Sequence, residues 1–405
     1  MKTIFIAVLA GIAGCAAIQP AAAANAVTWK ESVLHAFDGA SGAEPVAGVI
    51  DVNGTLYGTT SLGGAYAVRR NRGGGTVFSL DSRTGAETLL WSFGKPARLG
   101  SGPMAGVIDV NGTLYGTTID GGCRGCGGTV FSLDPATRTH KVLYGFPCSG
   151  SQCPDGAQPV AGLISLNGLL YGTTTYGGLG AGTVFSVDPG TGAETVLYAF
   201  AGGSDGAEPV GSLVAVNGIL YGTTSAGGGS GNNGIVFSVD LATGIETVVH
   251  AFEKTDGLGP TGLIDVNGTL YGVAGFGGNL NTGCYGGSLG CGTVFSIDPG
   301  TGAITVLYAF SGPDGSEPDG LVDVKGMLYG TTFWGGAKSG DGGGTAFSLD
   351  PATGAETVLH SFTGGSGDGL YPEPGLINVN GKLYGTTYYG GGDDNGTVFV
   401  LKKTK

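Results

Sequence analysis

The chain has 405 residues, 86 of them glycine, and a formal net charge of −13 from 18 basic and 31 acidic side chains. Acidic residues run through the whole length, and the one basic cluster is Arg69, Arg70 and Arg72 in a single loop, which excludes the phosphate-binding footprint of a nucleic-acid partner. So much glycine would forecast disorder, but here it punctuates apolar runs that recur at a steady interval.

Residues 1–26 carry one early lysine, an apolar run over 4–18, Pro20 and an alanine-rich string ending at Ala26. This pattern predicts a cleaved export signal rather than a membrane span, leaving residues 27–405 as one domain. Ile12-Ala13-Gly14-Cys15 also resembles a bacterial lipobox. Two destinations follow: a soluble periplasmic or secreted protein, which is preferred, and an outer-membrane lipoprotein with a lipid anchor at Cys15.

After a lone apolar segment at 32–37, a Leu-Tyr-Gly phrase recurs at Tyr57, Tyr115, Tyr171, Tyr221, Tyr271, Tyr329 and Tyr384. A period of roughly 50 residues suits a propeller blade. Each copy holds four short apolar segments, seen in the fourth copy at 212–216, 219–223, 235–240 and 246–252. The first two are joined by Asn-Gly at Asn53, Asn111, Asn167, Asn217, Asn267 and Asn380, because both central residues of the tightest hairpin need positive φ; Lys325 alone departs from this. The last two are joined by Asp-Pro-x-Thr-Gly or a close variant, as at Asp134, Asp188, Asp298 and Asp350. The chain opens on a fourth-type segment and ends on a third-type one at 396–401, so its two ends must complete one blade together. These patterns predict an all-β, seven-bladed β-propeller with four strands per blade, its ring closed by the N-terminal strand.

Six cysteines follow the leader, an even number that implies disulfides in an exported chain. Cys284 and Cys291 share a loop and pair. Cys123, Cys126, Cys148 and Cys153 lie on two loops of one face, with three connectivities open and local pairing preferred; a zinc site built from these four is the alternative.

Residues present in every copy serve the blade, so functional residues are sought where copies differ. His35, His250 and His360 occupy a strand position held elsewhere by Trp91, Tyr144, Tyr198 and Tyr308, and read as packing residues. His140 has no triad pattern around it, and no catalytic residue is assigned. The connections of variable length, second to third and fourth to first, share one face, which is the expected binding face. On it the residue before each Gly-Gly is aromatic in four copies, Tyr176, Phe276, Trp334 and Tyr389, with Phe333 and Tyr388 adjoining. These six form the candidate ligand-binding set, since exposed aromatic faces stack on sugar rings and other flat ligands. The same face carries Asp155, Asp205, Asp256 and Asp314, and Glu44, Glu208, Glu317 and Glu373 just before prolines. Calcium favours such oxygens, but the dense spacing of a calcium loop is missing, so these read as turn formers and no metal or cofactor is expected.

The phrases Leu-Tyr-Gly-Thr-Thr, Gly-Thr-Val-Phe-Ser and Glu-Thr-Val-Leu-Tyr-Ala-Phe resemble the choice-of-anchor tandem repeat family called GloVer, the Gloeobacter/Verrucomicrobia-type repeat, across residues 31–401. The resemblance implies an exported bacterial surface or extracellular protein and brings no catalytic residue. The leading expectation is a non-catalytic binding propeller whose partner is a carbohydrate or another cell-surface ligand. An extracellular polysaccharide hydrolase or lyase is the alternative of another class, and a structural surface scaffold a third.

Overall fold

The computed structural model describes residues 28–404 except 67–72, 151, 281–283, 285–288 and 337–341. The predicted leader with Cys15, and the Arg69, Arg70 and Arg72 cluster, lie outside the described residues.

Seven antiparallel sheets form a seven-bladed propeller. Blades one to six span 50–92, 108–145, 164–199, 207–251, 258–309 and 316–361. The seventh joins Gly369–Pro372 and Ile377–Val379 to Lys382–Gly390, then Thr397–Thr404, and finally the N-terminal strand Thr28–Ala36. Closure runs through Val33 opposite Phe399 and His35 opposite Val398, with Leu34 as a bulge between them. The opening strand starts four residues earlier than the sequence pattern suggests and the last one runs three residues longer, because each supplies the other with ladder partners out to Thr28 and Thr404. The Asn-Gly turns hold their first residue at φ of 52–56°, and Lys325 adopts 58° despite its side chain. Asp134, Asp188, Asp298 and Asp350 each accept a backbone N–H two residues on, as the turn chemistry requires.

The recurring glycine and phenylalanine explain each other. Gly58, Gly116, Gly172, Gly222, Gly272, Gly330 and Gly385 lie directly opposite Phe78, Phe131, Phe185, Phe237, Phe295, Phe347 and Phe399 on the third strand. A Cβ on any of these glycines would sit 2.5–2.7 Å from the tip of that ring. Each of these rings also meets a phenylalanine that ends the fourth strand of the preceding blade, edge to face at 5.0–5.2 Å between centroids. The seventh contact, Phe37 on Phe78, joins the closing blade to the first.

Near the axis the blades meet backbone to backbone: a Cβ on Gly48 would fall 2.0 Å from the Gly375 carbonyl oxygen. The short turns lie together at one end of the blades, as the Ser82 N–H bond to the Gly54 carbonyl shows. The variable connections bridge one another at the other end, as at Ala43 with Leu62 and Ala157 with Tyr176. Cys123 pairs with Cys126, Cys148 with Cys153 and Cys284 with Cys291, so the four sulfurs of the alternative zinc site are consumed in local disulfides.

Phe237→Ala is expected to lower stability by about 3–5 kcal/mol, and Gly222→Val by about 1–3 kcal/mol. Combined, the two should cost clearly less than their sum in urea unfolding, because the valine fills the space the ring leaves. Simple additivity would show that ring and glycine are not coupled.

Candidate functional site

Two polar constellations stand out, one repeated and one unique. The repeated one is a belt between the outer strands. Glu194 sits beside Tyr144 and Asp155, Glu246 beside Tyr198 and Asp205, and Glu356 beside Tyr308 and Asp314. The tyrosine hydroxyl donates to the aspartate in all three, at 2.6 Å for Asp205 and Asp314. Elsewhere in the belt His35 faces Glu87 at 3.6 Å, and His360 lies 3.1 Å from Asp368 with Glu31 adjoining. At the fifth blade Ile304 leaves His250 with Asp256 alone, at 3.0 Å, and at the second His140 stacks on Trp91 at 4.5 Å. His250 and His360 are therefore hydrogen-bonded belt members rather than simple packing residues, while His35 Nε2 and both His140 nitrogens are without a hydrogen-bond partner among the described residues. Asp205, Asp256 and Asp314 take both roles, accepting a backbone N–H of their own turns and a belt side chain, whereas the Asp155 carboxylate accepts from Tyr144 in the belt.

Burial, reinforced by the neighbouring aspartates, pushes Glu31, Glu87, Glu194, Glu246 and Glu356 up to about 7. Burial alone pulls His140 down to about 4. Glu31, His360 and Asp368 form the one trio among the described residues whose ligand atoms a metal could bridge, all within 4.8 Å. Tyrosine replaces the histidine at three equivalent junctions, and Asp368 is already taken up by His360, the Thr363 amide and hydroxyl and the Gly369 amide. The trio belongs to the belt.

The unique constellation lies on the variable face at blades five to seven. One residue before each rim proline adopts left-handed φ: Glu44 at 54°, Gln158 at 55°, Glu208 at 57°, Glu317 at 55° and Tyr371 at 58°, with Gly102 and Gly259 in the other two blades. A side chain there is strained, and more so before proline. Tyr371 is thus the seventh-blade counterpart of Glu44, and Glu373, predicted for that role, lies two residues further on. The spacing of proline to the Asn-Gly turn marks this: 380 − 372 equals the 53 − 45 of the first blade, whereas 380 − 374 does not.

Tyr371 organises a cluster of five half-buried rings. It stacks on Phe333 at 5.0 Å and 16°, tilts against Trp334 at 4.4 Å and meets Tyr389 at 6.2 Å. Tyr388 packs on Tyr389 at 4.6 Å and donates its hydroxyl to Glu44 at 2.7 Å. Four of the six predicted aromatics therefore come together. Tyr176, bridged to Ala157 and 45% exposed, and Phe276, paired with Leu258, have no ring contact with the cluster among the described residues.

Strand alternation places this cluster beside Asp319 and Glu373. The Thr331 hydroxyl bonds to the carbonyl oxygens of Asp319 at 3.0 Å and Glu373 at 3.1 Å, fixing these residues side by side across the junction of blades six and seven. Phe333, two residues along on the same face of the strand, meets Tyr371 from that junction. The channel, a cavity of about 460 Å³, is rimmed by the residue after each proline: Val46, Met104, Val160 and Val210, then Thr261 and Asp319. Glu373 follows the proline of the seventh blade in the same way but is 9% exposed, and Pro374 lines the cavity there instead. Burial pushes Asp319 up to about 6, partly offset by the Thr261 hydroxyl and Gly320 amide, and drives Glu373 well above the carboxylate range, with Asp319 adding to it. Glu317 is raised by the same two causes. The rim acids were invisible as a pair in the sequence, though each was an aligned departure from valine.

A model of the Gloeobacter/Verrucomicrobia repeat matches residues 23–231, 69–285 and 282–405. The chain belongs to that family. No curated protein matches this family member. Solved structures of similar fold include an oligogalacturonate lyase in complex with manganese, 14% identical over 87% of this chain and 86% of that one with a TM-score of 0.55. Another is the oligogalacturonate lyase of Vibrio parahaemolyticus, 9% identical over 93% and 97%, TM-score 0.55. A third is a putative 6-phosphogluconolactonase of Bacteroides fragilis, 15% identical over 87% and 99%, TM-score 0.50. At such identities the likeness to this repeat protein is one of fold alone.

The belt sets a pH dependence. Its five glutamates bind protons more tightly folded than at their ordinary 4.5, so their stabilisation is complete below about 4.5 and is lost as pH rises through about 7. His35 and His140, held below 6.5, oppose this at acid pH but are outnumbered. Calorimetry should find a lower unfolding midpoint at pH 8 than at pH 5. Glu194→Gln with Glu246→Gln should flatten that slope, and an unchanged slope would remove the belt as its source.

Proposed function

We propose that the protein is an extracytoplasmic binding propeller that takes a carbohydrate on the blade six to seven sector of its variable face. Three disulfides, and no membrane-spanning helix among the described residues, fit an extracellular or periplasmic setting. One observation carries the binding reading: the bulky aromatics and the rim acids depart from the repeat in the same sector. Independent departures would scatter around the ring if they served only the blades. Half-buried rings held in place by one another offer a preorganised apolar surface, and carboxyl groups at its edge bond sugar hydroxyls.

The adjoining acids Asp319 and Glu373 favour a second reading, cleavage of a polysaccharide by a hydrolase or lyase, because carboxyls with raised proton affinity serve as general acids. No metal or cofactor is part of either reading.

A glycan array should show binding that Trp334→Ala and Tyr371→Ala each weaken by at least about tenfold while the melting midpoint stays within a few degrees. An array blank for the unaltered protein would overturn the carbohydrate reading. Turnover of an array hit, lost in Asp319→Asn, would move the assignment to the enzyme.

A further inference from the structure

Within the sector, two carboxyl groups stand where every other blade places an apolar or hydroxyl side chain. Glu373 is nine-tenths buried, and no hydrogen bond or ion pair among the described residues reaches its carboxyl; Thr331 and Thr386 engage only its backbone. Asp319 stands beside it, fixed by the same threonine, with the Thr261 hydroxyl as its side-chain neighbour. Glu317 lies near Asp319, and Glu44, at the same backbone position of the first blade, accepts from Tyr388. Two adjoining carboxyls with no protein cation beside them among the described residues are costly to bury, and four sister blades place valine or methionine there instead.

We propose that the ligand carries a protonated amine, seated between the Asp319 and Glu373 carboxyls while its ring lies against the Tyr371 and Trp334 cluster; the substrate class is an amino sugar with a free amine. This inference rests on the carbohydrate reading above and deepens it. An ammonium supplies the missing positive charge and the hydrogen-bond donors that an acid pair accepts. The negative faces of the surrounding tyrosine and tryptophan rings attract the same group. A neutral acetamido sugar leaves the pair uncompensated, and a uronic acid adds a third like charge. The acid-lined mouth therefore disfavours polyuronates, the substrate class named for the lyases that share the fold.

Calorimetric titration with three trimers separates these classes: glucosamine, N-acetylglucosamine and galacturonate. The glucosamine trimer should bind at least about tenfold more tightly than its acetylated counterpart, and the galacturonate trimer more weakly than both. Glu373→Gln and Asp319→Asn should each erase the preference for the free amine while leaving the acetylated trimer's affinity unchanged. Asp265→Asn, in a turn on the opposite face, removes the same charge and should alter nothing, which separates a site from general attraction to an acidic protein. Should Glu373→Gln fold poorly, Asp319→Asn, at the less buried of the two positions, carries the comparison. Equal affinity for the free and acetylated amine overturns the inference and leaves the carbohydrate reading standing. A preference for the amine that survives both substitutions overturns it as well. Loss of all three sugars from the unaltered protein overturns both readings.

Discussion

The structure depends on one contact made seven times: a phenylalanine ring laid over a glycine of its own blade and met edge-on by a phenylalanine of the blade before. The glycine cannot grow without striking the ring, and the ring cannot shrink without opening a void between two blades. Sheets packed face to face tolerate no other spacing once that contact is set. Ring closure then follows from the same geometry, since Phe37 and Phe78 repeat at the seam what six other junctions do. With the interior so determined, the loops at one end are left to differ.

They differ unevenly. Blades one to four keep valine or methionine at the channel rim and small or polar residues after the Thr-Thr pair, apart from Ile119. Blades five and six are one residue shorter between the rim proline and the inner turn, and their inner strand runs unbroken as Leu258–Val266 and Ser316–Val324. Their rim residues are Thr261 and Asp319. The seventh blade restores the length but brings Tyr371, Glu373 and Tyr388. Symmetry serves the core, and its interruption gathers the bulky aromatics and the rim acids in one sector.

Architecture was legible in the sequence because its causes are local or periodic: turn residues demanding positive φ, apolar runs with a fixed repeat, cysteines close enough to pair. Even the seam could be read, from strand types out of phase at the two ends. The belt could not. Its glutamate, aromatic and aspartate come from neighbouring blades, and within any one copy each looks like ordinary strand or turn material. Tyr371 was hidden by a decoy, for Glu373-Pro374 mimics Glu44-Pro45 and only the distance to the following turn tells them apart. The second strands were read short, Ile219–Ala226 exceeding the expected five residues, because their ends pair with a loop rather than another apolar strand. His140, both ring nitrogens without a partner, is held by stacking and burial that no linear pattern announces.

The seam also orders events in time. Thr28 meets Thr404 across 376 residues, so during synthesis the strand that opens the ring finds its neighbour only after all six intervening blades have been made. Until then it has no ladder to join, and the six finished sheets form an arc with an exposed flank at each end. Docking so distant a pair carries a large loop-closure cost, which makes this step slow relative to hairpin assembly.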